Sequence, residues 1–72
     1  MEKKDIELIE QHRESDEILN RLYKEHLDYE RRLDKIERRP FLSPTQDQER
    51  RDLQKKKLLG RDQIEKILLK YR

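Results

Sequence analysis

A chain of 72 residues, 50% charged and 31% hydrophobic, has room for one helical unit and little private core. Its 19 basic and 17 acidic residues give a net charge of +2, a dense mixture of signs rather than the one-sided surface of a dedicated polyanion binder. The absence of cysteine excludes disulfides, thiolate metal sites and cysteine nucleophiles, and the apolar runs are too short for a signal-peptide core or a membrane span. A cytoplasmic protein with no membrane association is the expectation.

From Leu8 a 4,3 alternation selects Leu8, His12, Ser15, Leu19, Leu22, His26, Tyr29, Leu33 and Ile36, the seam of a heptad repeat. This spacing predicts a first helix over about residues 5–38.

The pattern ends at "RRPFLSP", where Pro40 biases Arg39 away from helical dihedrals. A turn is expected over residues 39–43, with Ser43 as the N-cap of a second helix and Pro44 at its first position. Gln46, three residues after Ser43, completes the signature of a capping box. The second helix is predicted over about residues 44–70, with a seam of Arg50, Leu53, Lys57, Gly60, Ile64, Ile67 and Tyr71.

So short a connection makes neighbouring helices antiparallel. The expected architecture is all-α: an antiparallel, coiled-coil-like two-helix hairpin. Facing residue numbers then sum to 82 or 83, pairing Leu19 with Ile64, Leu22 with Gly60, His26 with Lys57 and His12 with Tyr71. The first helix is the longer, so Ile6, Leu8 and Ile9 overhang in this scheme. Ile18, Tyr23, Leu27, Leu58 and Leu68 fall off the seam and form a second apolar strip wider than a lone hairpin covers. Dimerisation into a four-helix bundle would cover it.

The segments "LYKEHLDYERRLDKIE" and "LQKKKLLGRDQIEKIL" together resemble the YdcH-like family of small bacterial proteins. Leu22 and His26 match its L-x-x-x-H segment, and Lys55, Lys56, Lys57, Leu58, Asp62 and Ile64 match its lysine-rich second segment. Gly60 stands where the family pattern has leucine, and Arg61 where it has lysine. The resemblance implies a helical hairpin and carries no activity with it.

Little in the chain suggests chemistry. His12 and His26 lie about 21 Å apart along one helix, too far to share a metal. Each has a carboxylate four residues on, Asp16 and Glu30, suited to an ion pair or to orienting the ring. No nucleophile sits in a recognisable constellation, and one glycine cannot make a phosphate loop. No enzyme activity, cofactor or metal is expected. His26 facing Lys57 reads as a polar layer of the seam, of the kind that fixes register and oligomer state.

The one concentrated patch is basic: Arg50, Arg51, Lys55, Lys56, Lys57 and Arg61 face only Asp52 between residues 50 and 61. Three successive lysines point about 100° apart on a helix and form no single stripe, and no aromatic residue is interleaved with them. The expected function is therefore a self-associating protein–protein interaction module or adaptor, a homo-oligomer that also meets an unidentified protein partner. Its expected contact residues are Leu8, Ile9, Tyr23, Leu27, Leu58 and Leu68. The alternative is a small nucleic-acid-associated protein using Arg50, Arg51, Lys55, Lys56 and Arg61 for phosphate contacts.

Overall fold

The structure, a computed structural model, describes residues 2–72. Among these residues it is entirely helical, with three α-helices and no strand: α1 (Lys3–His12), α2 (Glu17–Glu37) and α3 (Pro44–Leu68), the last followed by one 3₁₀ turn (Leu69–Tyr71).

The single helix expected over about residues 5–38 is thus two helices. The physical cause is Asp16, whose backbone is extended (φ −124°, ψ 96°) and whose carboxylate accepts from the Leu19 N–H at 3.1 Å. A short acceptor that satisfies an orphan amide starts a helix rather than continuing one. Upstream, the N–H groups of Ser15 and Asp16 close onto the His12 carbonyl, ending α1. Arg13 Nε spans the break to Asn20 Oδ1 at 2.9 Å. The heptad frame ran across this break because its members there, His12 and Ser15, hold the spacing without being apolar.

The break folds α1 back against the other two helices, so Ile6, Leu8 and Ile9 do not overhang. Ile9 is completely buried and Leu8 packs against the same cluster, while Ile6 stays on the outer side. Arg72, the final residue, reaches Asp5 of α1 in a salt bridge.

α3 begins as its sequence predicts. Ser43 Oγ accepts from the Gln46 N–H at 3.2 Å, and the Gln46 side chain accepts from the Ser43 N–H at 3.1 Å. Pro44, which lacks an amide hydrogen, costs nothing at a position where that hydrogen has no helical partner.

α2 and α3 run antiparallel. Glu30 meets Lys57 and Asp16 meets Tyr71, and the residue numbers of both pairs sum to 87. The core has two apolar clusters along this pair. Ile9, Leu19, Tyr23, Ile64 and Leu68 form the larger one, with Leu22, Ile67 and Tyr71 at its edge; Leu33, Ile36 and Leu53 form the second, beside Leu42 of the turn. Fully burying an aliphatic side chain contributes about 1.5–3 kcal/mol. Ile9, Leu19, Ile64 and Leu68, all fully buried, are therefore the main source of cohesion.

Candidate functional site

Alongside the second apolar cluster, whose Leu33 helps to line it, α2 and α3 leave an open groove of ≈ 860 Å³. Its α2 side carries His26, Leu27, Glu30, Asp34 and Glu37, and its α3 side carries Gln54, Lys57, Leu58 and Arg61. The helical repeat brings these residues together, since positions three and four apart share a face.

His26 is 3% exposed. Its Nε2 lies 3.0 Å from Glu30 Oε1, and the same carboxylate oxygen lies 3.8 Å from Lys57 Nζ. His26 and Lys57 are thus joined through Glu30, which the sequence pattern identified only as the i+4 neighbour of the histidine. Burial pushes the imidazole below its ordinary pKa, outweighing the opposing pull of Glu30, so His26 is neutral at pH 7. Its Nδ1 is buried without a hydrogen-bond partner among the described residues.

The expected contact residues divide sharply. Ile9, Tyr23 and Leu68 are core residues and cannot serve an outside partner, and Leu8 is half-buried against them. Tyr23 and Leu68 fall off the heptad seam because that frame has no separate α1 to cover; once α1 folds back, Ile9 joins them in one buried cluster. Leu27 and Leu58 do face outward, 43% and 59% exposed. Ile18, Leu59 and Leu69 are exposed as well, as is Phe41 on the α2–α3 turn.

The basic run is largely occupied within the chain. Arg50 and Arg51 both reach Asp47, at 2.9 Å and 3.1 Å, and Arg61 lies 3.4 Å from Glu65. The Arg50 hydrogen bond, helped by the charge of Arg51, holds the Asp47 carboxyl below the usual carboxylate range. Lys55 and Lys56 are exposed and form no salt bridge among the described residues. Gly60 is not a close-approach position, since a Cβ built there meets nothing within 4 Å. The expected packing of position 60 against Leu22 does not occur.

A second polar constellation sits at the other end. His12 stacks on Tyr71 with ring centroids 3.8 Å apart, and the Tyr71 hydroxyl donates to Asp16 Oδ2 at 2.7 Å. The Leu19 N–H and the Tyr71 hydroxyl hold the Asp16 carboxyl below its usual range, while the hydrogen bond to Asp16 raises the Tyr71 phenol. The antiparallel seam had placed His12 beside Tyr71, but the tie to Asp16 was missed. An Asp-Glu pair opening an apolar run, "SDEIL", is the signal that could have exposed it.

No group of three or more His, Asp or Glu side chains suited to a metal occurs among the described residues, and no helix there is long and apolar enough to cross a membrane. What fold and surface define is a small all-helical protein with a charged groove between two antiparallel helices. Residues 19–68 match the family model described as "Protein of unknown function (DUF465)", and the chain belongs to this family, the YdcH-like small bacterial proteins. The match starts at the third residue of α2 and ends with α3, leaving α1 outside it. No curated protein and no solved structure matches the chain.

Proposed function

We propose that the chain is a non-enzymatic interaction module that self-associates through the α2–α3 face, pairing into a four-helix bundle, and that presents its remaining surface to another protein. The observation that carries this reading is the exposure of Leu27 and Leu58 on the two sides of one groove, in a chain with few apolar residues to spare. Exposing leucine on both walls of a cleft is costly unless another surface covers it. Leu58→Glu tests the reading: it should keep helicity, because Leu58 is largely exposed, while lowering the associated mass. Unchanged mass in a folded variant would count against the α2–α3 face.

The nucleic-acid reading has less support. Four of the six bases in the run, Arg50, Arg51, Lys57 and Arg61, already face carboxylates of the same chain. Duplex binding through several phosphates would show affinity falling with salt at a log–log slope of about −0.9 per contact. Tight binding that survives physiological salt and is lost when Arg50, Arg51, Lys55 and Lys56 become glutamine would favour it.

A further inference from the structure

The two lips of the groove carry opposite charge. On α2, Glu30, Asp34 and Glu37 outnumber Arg31; on α3, Lys57 and Arg61 stand with no carboxylate among the lining residues. We infer that the groove is the docking face for a second copy of the chain, related by a two-fold axis running along the groove. This rests on the self-association proposed above and specifies its face and orientation.

The charge order selects that axis. A two-fold along the groove exchanges its lips, laying the acidic lip of each copy on the basic lip of the other without shifting residues lengthwise. Glu30 and Lys57 share one level within the chain, 3.8 Å apart, so each copy's Glu30 comes opposite the other copy's Lys57. Arg51 lies one turn beyond Gln54 on the same strip of α3. It comes opposite the acidic pair Asp34 and Glu37. Leu27 and Leu58 differ in level by about two residues, or about 3 Å. Each copy's Leu27 is thereby covered by the other's Leu58.

A two-fold across the groove does the opposite. It lays α2 on α2 and α3 on α3, so that the basic lip of one copy meets the basic lip of the other. Like charges set face to face across an interface cost affinity. Within one chain, the Lys57–Glu30, Arg61–Glu65 and Arg38–Asp34 ion pairs are surface pairs, with Lys57, Glu30, Arg61 and Asp34 38–60% exposed. Such pairs contribute little and exchange readily for contacts with a neighbour. The resulting bundle alternates helix direction at every neighbour, as in an up-and-down four-helix arrangement.

Charge reversal and cross-linking test this together. One variant carries Arg51→Glu and Lys57→Glu, the other Glu30→Lys, Asp34→Lys and Glu37→Lys, each checked for helicity. Alone, each should associate at least about tenfold more weakly than the wild type, and an equimolar mixture should recover association. For orientation, the chain has no cysteine of its own, so Leu27→Cys and Leu58→Cys chains can be mixed and oxidised. Disulfides between position 27 and position 58 should predominate. Predominant 27–27 and 58–58 bonds would overturn the orientation. An associating wild type whose lip variants associate equally well would overturn the face and leave self-association standing. A wild type that never associates would overturn both.

Discussion

The Tyr71 hydroxyl donates a hydrogen bond to Asp16 Oδ2 at 2.7 Å, tying the last turn of the chain to the residue that starts α2. Asp16 already accepts from the Leu19 N–H, so one carboxylate both caps a helix and anchors the C-terminal end. Tyr71→Phe and Asp16→Asn should each lower the melting temperature, and the double variant should lose less than the sum of the two. Additive losses in that double-mutant cycle would mean the pair is not coupled.

This tie and the Asp47 cluster with Arg50 and Arg51 together predict losses at both ends of the pH scale. Asp16 and Asp47 have folded pKa values below their ordinary value of 3.8, so their stabilisation is present above that value and disappears as pH falls through the depressed ones. Tyr71 has a raised value, so its contribution is present below pH 10.0 and is lost as pH rises through the folded pKa. Thermal melts of Tyr71→Phe should lack the alkaline loss.

His26 acts earlier on the acid side. Its folded pKa lies below 6.5, so the unfolded chain takes up a proton that the folded chain refuses. The contribution is complete above pH 6.5 and shrinks as pH falls toward the folded value. NMR titration of the imidazole should place the His26 midpoint below 6.5; a midpoint at or above it would mean that Glu30 dominates burial.

Gly60 sits inside α3 with open space where a Cβ would be. Gly60→Ala should therefore raise stability by about 1 kcal/mol, the ordinary helix-interior cost of glycine. Gly60→Leu should gain no more than alanine does. Denaturant melts that show a much larger gain for leucine would reveal a packing partner at that position.

The folding back of α1 can be tested at two isoleucines one helical turn apart. Ile9 is fully buried and Ile6 is 38% exposed. Ile9→Val should cost about 0.5–1.5 kcal/mol, the usual cost of deleting one buried methyl group, with Ile6→Val well below that. Equal, negligible effects would mean that α1 does not pack on α2 and α3.

Those two residues also show how far the sequence could be read. Its second break was legible because Pro40, Ser43, Pro44 and Gln46 each restrict the backbone through their own chemistry. The break at Asp16 lacks proline and glycine, and His12 and Ser15 preserved the heptad spacing through it, so periodicity alone passed over it. Ile9, Tyr23 and Leu68 were consequently assigned to an outer surface when they form the core. Of the groove, His26 and Lys57 were legible from their seam positions, whereas the opposite charge of the two lips depends on which residues share a face in three dimensions.

Self-association through the α2–α3 face is tested most directly by the mass of the wild-type chain, measured by light scattering across a concentration series. A mass twice that of the 9.1 kDa chain, falling toward one chain on dilution, is the predicted result. A folded chain of single mass at every accessible concentration would contradict it.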